Sequence, residues 1–548
     1  MSIVEQKLAT AFDSHKQGDL RQAKQLYIEV LNFEPSNSEA LFFIGVLHVQ
    51  TQELEIALGY LEEYLKNNID AEALKQVADI SFDLQRFEKA VKYYEAYLNL
   101  VGEDFDVLQN YATALVYSGY FVKSAEVFEV VCKEKETALD YFNLGFALSR
   151  ADNPKKALDC YLKAYELDST SAATCINLAG LYYDLYELEK ALYFNKKAIE
   201  NNPDCAESYN NSGNSYLDLN MIDEAIESFY SAVKLNPSYD GYKFNLARAY
   251  FAKGDLENGW EYFKYRRLLF ERKDLKVQHL NDFSGNLEGK TVFVYYEAGY
   301  GDVIQYARYI PFLIKAGAKV IFEVQDGLLD ICKRSFPDVQ VVGQSFDYSD
   351  VKYDLQTNLF CLVWFFKEEK FPFADGFLIS DSKKVHEFSK KYFNNSSKKI
   401  GLVWHSKNND LRDRLKSVEH LSAFNSLADV SDVMLYSLLV GSGVNQIEEV
   451  SFSVESLGSH FTSFDDTAAA IMGLDLLITV DTSVAHLAGS LGVKTWLMLP
   501  YAPNWRWFTK GKDSPYYSSM RIFRQKVHGD WTNVFKEIVH ELQNLGVH

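Results

Sequence analysis

The feature that most constrains this chain is a period. Small residues stand at Ala23, Ala57, Ala90, Ser124, Ala157, Ala191, Ala225 and Gly259, each 33 or 34 residues after the one before. Four residues later comes a larger side chain: Tyr27, Leu61, Tyr94, Phe128, Tyr161, Phe229 and Phe263. Three further on the residue is again apolar or small, as at Val30, Tyr97, Val131, Ala164, Ala198 and Ala232. Offsets of four and seven fall on one helical face, and Pro35, Pro203 and Pro237 stop the helices. The small residue lets two antiparallel helices approach closely. Such a unit cannot bury its apolar face alone, so about eight units are expected to stack into a superhelix with a concave groove. The periodic aromatics read as core, and the array offers a surface without chemistry of its own.

This stretch resembles the tetratricopeptide repeat from about residue 4 to about residue 272. Units such as "EKALYFNKKAIENNPDCAESYNNSGNSYLDLNMIDEAIESFYSAVKLNP" lie near its consensus. The resemblance implies that the groove holds a peptide or another protein. Asn210, Asn211 and Asn214, on the first helix of their unit, are the candidate acceptor-binding residues, because a side-chain amide both donates to and accepts from a peptide backbone. A solvated helix face is the alternative for them. The Asp-x-Asp of "EDFD", Glu103 to Asp106, sits at an inter-repeat turn and does not read as a metal site.

At 548 residues the chain exceeds what one core can organise, so several domains are expected. A net charge of −20 argues against a general binder of nucleic acid or anionic membranes, while leaving room for a local basic pocket. No basic leader with an apolar stretch opens the sequence, and no apolar run nears the ~20 residues that span a bilayer. The six cysteines form no C-x-x-C and suit free thiols in a reducing cytosol. A cytoplasmic, acidic, multidomain protein is the expectation.

After residue 272 the texture changes. "KTVFVYYEAGYGD" reads as a strand ending in a glycine-rich turn, "VIQYARYIPFLIKAGA" as an amphipathic helix, and "KVIFEVQ", "GLLDICKRSF" and "VQVVG" continue the alternation. The charged stretch "SDSKKVHEFSKKYFNNSSKK" reads as an interdomain connection. The pattern restarts at "IGLVWHS" and runs through "DVMLYSLL", "TAAAIMGLD", "LLITVDTS", "VAHLAGSLG" and "KTWLMLP". Strand–helix alternation with apolar strands predicts doubly wound parallel sheets, with ligands at the carboxyl ends of the strands. The predicted domains are the repeats at 1–272, a first Rossmann-like domain at 273–385 and a second at 386–548. Asp481, Thr482 and Ser483 form the loop after "LLITV", at a helix start whose N–H groups favour an anion such as phosphate. Plain capping is the other use of Thr482 or Ser483. In the matching first turn, Gly299 and Gly301 allow close backbone approach, and Asp302 opens the helix. This is no dinucleotide fingerprint, since the third glycine is absent, and "GNLEGKT" precedes its strand and is one residue short of a phosphate loop.

"AGYGDVIQYARYIPFL", "IGLVWHSKNNDLRDRLKSVEHL", "DLLITVDTSVAHLAGSLGVKTWLMLPYAPNWRWF" and "DSPYYSSMRIFRQKVHGDW" occur in that order. They resemble the bacterial tetratricopeptide-repeat glycosyltransferases, whose catalytic part is similar to the heptosyltransferase family of GT-B fold. The resemblance implies an all-α superhelix followed by an α/β region of two Rossmann-like domains. It implies Asp302 as the general base that deprotonates an acceptor hydroxyl, and Lys416 as the cation facing the donor diphosphate, with Lys407, Arg412 and Arg414 as neighbours competing for that role. It assigns Thr482 and Ser483 to phosphate oxygens and Asp481 to sugar hydroxyls. His486 either reaches the phosphate or sugar or is packed at the helix start. His405 follows a strand at the same kind of place, where the family more often has a small residue, so its role stays open. Trp505 and Trp507 read as structural walls, one of them within reach of nucleotide or acceptor. The tail "WTNVFKEIVHELQNL" implies a final amphipathic helix that returns across the first Rossmann-like domain.

The expected function is therefore metal-independent transfer of a sugar from a nucleotide-sugar substrate, with no resident cofactor, to an acceptor held by the repeats. A protein acceptor, such as a flagellin or adhesin modified at a Ser or Thr hydroxyl, is favoured over a lipid-linked or polysaccharide one. The contrasting expectation is a repeat scaffold whose α/β half has lost activity. The sugar, the nucleotide base, the stereochemistry and the oligomeric state are not legible.

Overall fold

The computed structural model describes the chain apart from residues 1, 271, 273, 274, 276, 349, 350, 368–370, 395, 407–410, 429 and 545–548, and apart from the side chains of 268, 270, 411–413 and 428. Two compact units divide it: Met1–Leu181 with Glu200–Asn202, and Tyr182–Ile199 with Pro203–His548.

In the first unit, helices from Ile3–Lys16 to Pro154–Leu167 form five antiparallel pairs, each helix packed on the next. The periodic residues explain the pairing. Ala23, Ala57, Ala90, Ser124 and Ala157 are fully buried, as are Tyr27, Leu61, Tyr94, Phe128 and Tyr161 one turn later. A Cβ on Gly45 would fall 2.7 Å from Leu61, and one on Gly145 would fall 3.0 Å from Tyr161, so these glycines let the large side chain of the second helix lie against the first. The turn inside each pair ends in a left-handed residue: Gly18, Gln52, Gln85, Gly119 and Asp152.

The second unit contains two further pairs, Ala206–Asp218 with Ile222–Leu235 and Asp240–Lys253 with Leu256–Phe263. Two parallel sheets follow. The first has strands β1 (Thr291–Tyr295), β2 (Lys319–Glu323), β3 (Gln340–Val342) and β4 (Leu355–Asn358), in the order β3-β2-β1-β4. The second has β5 (Lys398–Val403), β6 (Val433–Ser437), β7 (Val454–Ser456), β8 (Leu476–Val480), β9 (Thr495–Leu499) and β10 (Met520–Arg524), in the order β10-β9-β8-β5-β6-β7. All pairings between these strands are parallel. Both orders reverse direction once, between β1 and β4 and between β5 and β8, which opens a crevice at the carboxyl ends of those strands. One hydrophobic core runs from Ala247, Phe251 and Phe263 of the last helix pair through both sheets to Leu542.

Two expectations are corrected. The charged stretch near residue 380 is not a bare connection. Ser382–Tyr392 is a helix that packs on Phe464–Met472, with Lys384 bonded to Asp466 at 2.7 Å and Phe393 in the core, so a boundary at 385 falls inside an element of the second sheet's layer. The final helix, Thr532–Asn544, does not return across the first sheet. It lies on β10 and on Asn425–Ala428, because Phe535 meets Phe424 at 4.8 Å and Glu541 takes two hydrogen bonds from Arg521. All six cysteines are free thiols.

Candidate functional site

The loops after β1, β8 and β9 meet. The helix Tyr300–Tyr306 after β1 packs on the helix Ser483–Ser490 after β8, one from each sheet. Gly301 makes the approach possible: a Cβ there would lie 2.9 Å from His486 Cδ2 and 3.4 Å from the Ser483 Cα. Thr482 is the N-cap of the second helix in extended backbone, yet its side chain makes no capping bond, and its hydroxyl instead lies 3.4 Å from that of Thr479. The capping use of Thr482 is thereby replaced by one that leaves the helix start to backbone N–H groups.

Asp302 occupies the third position of its helix. Its Oδ2 accepts from the Gly299 N–H at 3.1 Å, and its Oδ1 accepts from Arg506 Nη2. Arg506 comes from the turn after β9 and was not singled out from the sequence, since it sits among walls in "PNWRWF". Burial alone would lower its pKa, but Asp302, Tyr306 and Asp481 outweigh burial and hold it above the usual arginine range. Asp481 is pushed up by burial, with Asp302 adding like-charge repulsion against the pull of Lys416 and Arg506. The Trp507 indole N–H, which lacks a partner of good hydrogen-bond geometry, adds a weak pull the other way. Two acids and two cations thus lie within electrostatic reach of one another.

His486 is a packed histidine. Its ring stacks on Trp507 at 5.2 Å, and its Nδ1 lies 3.0 Å from the Tyr517 hydroxyl. Burial, then Arg506, Arg308 and Lys416, depress its pKa well below the usual value, so it is neutral. Its Nε2 lies 3.9 Å from Asp481 Oδ1. Arg308 is a second residue that sequence reasoning missed. It is fully buried, donates to the Tyr516 carbonyl at 2.8 Å and lies 4.7 Å over the Tyr517 ring, tying the first sheet's layer to the second.

Two backbone positions are strained beside these groups. Ala298, before Gly299, has φ +74°, and Phe508, after Trp507, has φ +54° with ψ 177°, a region that side chains rarely adopt. Neighbours hold both. Glu297 pairs with Arg266 beyond the last helix pair, while Arg524 bonds the carbonyls of Trp507 and Phe508 at 2.7 and 3.0 Å.

A cavity of about 220 Å³ opens next to this cluster. Lys416, Asp481 and Trp505 line one side, and Asp218, Asn220 and Arg248 of the helix pairs line the other. The last pair grips the loop after β9: Phe251 stacks on Trp505 at 5.1 Å, and the Thr509 N–H donates to the Ala252 carbonyl at 3.0 Å. Asn210 accepts from Asn245 at 2.8 Å and reaches Asn211 at 3.4 Å, and Asn245 accepts from Arg248, so these amides lead toward the cavity. Asn214 is half-buried on the same helix. His405 is not among the cavity's lining residues; its Nδ1 lies 2.6 Å from the Ser406 carbonyl. Lys407 lies outside the described residues, and so does the side chain of Arg412.

Among the described residues no helix is long and apolar enough to cross a membrane. Sequence profiles of the tetratricopeptide repeat match residues 16–72, 141–171 and 206–239. The chain is 23% identical over 443 residues to Protein FlbA of Caulobacter vibrioides, covering 74% of this chain and 72% of that one. That share exceeds what the helical half supplies. It is 23% identical over 294 residues to the TPR repeat-containing protein MJ1428 of Methanocaldococcus jannaschii, covering 49% and 51%. Among solved structures, MamA 41-end from Desulfovibrio magneticus RS-1 is 21% identical with a TM-score of 0.28, covering 30% of this chain and 93% of that one. The helical half of this chain is an array of tetratricopeptide repeats, and parallel sheets follow it.

Proposed function

We propose that the α/β half is a GT-B-type glycosyltransferase acting on an acceptor docked by the repeats. The observation that carries this reading is the cavity: Lys416 and Asp481, at carboxyl ends of the second sheet, share it with side chains of the last repeats. An acceptor bound to the repeats is then delivered to the place where a donor is held. Repeats of this family typically bind proteins, which favours a protein acceptor over a lipid or polysaccharide. The donor is a substrate, and no resident cofactor is needed. Such chemistry belongs in the cytoplasm, where nucleotide sugars are made.

In this reading the donor diphosphate lies across the start of Ser483–Ser490, with Lys416 and Arg506 as its cations. Arg506 turns from Asp302 to the diphosphate, which frees a carboxylate oxygen. The acceptor hydroxyl oxygen then attacks the anomeric carbon as its proton passes to Asp302. The bond from that carbon to the diphosphate breaks, and the nucleoside diphosphate leaves with the electron pair. Asp481 meets the sugar hydroxyls, with neutral His486 packed beside it against Trp507 and Tyr517.

A second reading, a protein-binding scaffold without turnover, is favoured by one observation: both Asp302 oxygens are engaged. The deciding experiment is a thermal-shift screen of nucleoside diphosphates and nucleotide sugars, followed by transfer of labelled sugar to candidate acceptor proteins. At 100 times its Kd a ligand stabilises by about 2.7 kcal/mol. A selective shift that is lost in Lys416→Ala and Asp481→Ala supports the transferase, and no shift with folded protein supports the scaffold.

A further inference from the structure

We infer that the last repeats do more than dock an acceptor: Asp218, Asn220 and Arg248 form a subsite for a sugar ring of the donor. The inference deepens the transferase reading and rests on it. These residues line the cavity opposite Lys416 and Asp481. They come from two consecutive helix pairs, with Asp218 ending one helix, Asn220 in the turn after it and Arg248 on the first helix of the next pair. Asn220 has φ +59°, a conformation asparagine tolerates, and Tyr186 donates to the Asp218 carbonyl at 3.4 Å. Asn245, itself bonded to Asn210, accepts from Arg248 at 3.0 Å and fixes the guanidinium.

The chemistry of the lining selects the ligand. Two carboxylates, Asp218 and Asp481, face two cations, Arg248 and Lys416, so the space is close to neutral and favours a neutral guest over a second diphosphate. Carboxylate and amide oxygens accept from hydroxyls, while guanidinium and ammonium groups donate to ring and hydroxyl oxygens. Asp218 Oδ2 and Asn220 Oδ1 are enclosed with no hydrogen-bond partner, a cost that hydroxyl donors from the adjoining space would relieve. At about 220 Å³ the cavity falls below the roughly 300–1,000 Å³ that encloses a drug-sized molecule, so it takes one ring of a nucleotide sugar. That ring is either the transferred sugar or the ribose, and both present hydroxyls that donate and accept.

The test is calorimetric binding of UDP, GDP, dTDP and CMP, and of their common sugar conjugates, to the full chain and to its Asp218→Asn and Asn220→Gly variants. Glycine suits the left-handed turn, so the second variant keeps the fold if the first does not. The expected result is about tenfold weaker binding of the preferred nucleotide sugar in each variant, with the unliganded melting temperature unchanged. A loss confined to the conjugate identifies the transferred sugar, and an equal loss for the nucleotide alone identifies the ribose. Wild-type affinity for both ligands in both variants overturns the subsite while leaving the transferase reading intact. Failure of every nucleotide to bind the wild type overturns that reading, and the subsite with it.

Discussion

Arg506 and Asp302 connect the two sheets at the place where the transferase reading puts its base, so their coupling can be measured. Arg506 is brought by the turn after β9 and Asp302 by the helix after β1, and their side chains are only 15% and 20% exposed. Two unit charges about 4 Å apart attract by about 4 kcal/mol at an effective dielectric near 20. Removing one partner of a buried pair costs about 3–5 kcal/mol, because the other charge stays behind without compensation. Partial exposure of Asp302 and its remaining bond from the Gly299 N–H place Arg506→Met at the lower end, about 3 kcal/mol. Asp302→Asn leaves Arg506 facing only Asp481 and should cost a similar amount. In the double variant neither unmatched charge remains at this junction, so the losses should fall short of additivity by about 2 kcal/mol.

The assay is urea denaturation followed by tryptophan fluorescence, since Trp505 and Trp507 flank the arginine and report the α/β half. Arg506→Lys, which keeps the charge but not the planar fork, should lie between wild type and Arg506→Met. Losses that add to within about 0.5 kcal/mol would refute the pairing. The claim that Arg506 moves to a diphosphate would then lose its starting point.

Other perturbations follow from the same geometry. Gly301→Ala should cost about 1–3 kcal/mol and, on the transferase reading, weaken nucleotide binding, because the ring in its way is pinned by Trp507 and Tyr517; unchanged melting would show that the two helices part freely. His279 is 3% exposed and its pKa is lowered to about 4, mainly by burial. It is neutral in the fold, so below pH 6.5 the unfolded chain binds the extra proton and stability falls as pH drops toward 4, by about 3 kcal/mol in all. His279→Asn should flatten the melting temperature over that window, and an unaltered pH slope would count against it. His486 contributes in the same direction. Gly213→Ala would place a Cβ 2.6 Å from the Phe229 ring and should destabilise the repeats by at least 1 kcal/mol in a thermal melt, with wild-type stability showing that the helices can spread.

The repeats were legible because their periodic residues have one task, close packing of two helices, and that task leaves the same small and large side chains every 33 or 34 positions. The turns inside the pairs were not. Each ends in a left-handed residue, but only Gly18, Gly119 and Gly254 announce it, while Gln52, Gln85, Asp152, Tyr186 and Asn220 adopt it because the packed helices on either side leave the chain no other path. The α/β half divides the same way. Asp481 stood out because it ends a continuous apolar strand, and Asp302 because two glycines precede it. β10 and β4 escaped notice, since "MRIFR" carries two arginines and "LQTN" a single apolar residue, so neither shows the continuous apolar run of β8. Arg506 was hidden for a further reason: its partner lies 204 residues away, and a cation between two tryptophans looks like decoration of a wall. Asp218 and Asn220 end a repeat helix and begin the turn after it, and nothing in their own stretch announces that a loop from the second sheet lines the same cavity. A residue whose task is set within its own element therefore leaves a pattern in the sequence. One whose task arises where two elements meet leaves none, and Arg506 and Arg308 are of that second kind.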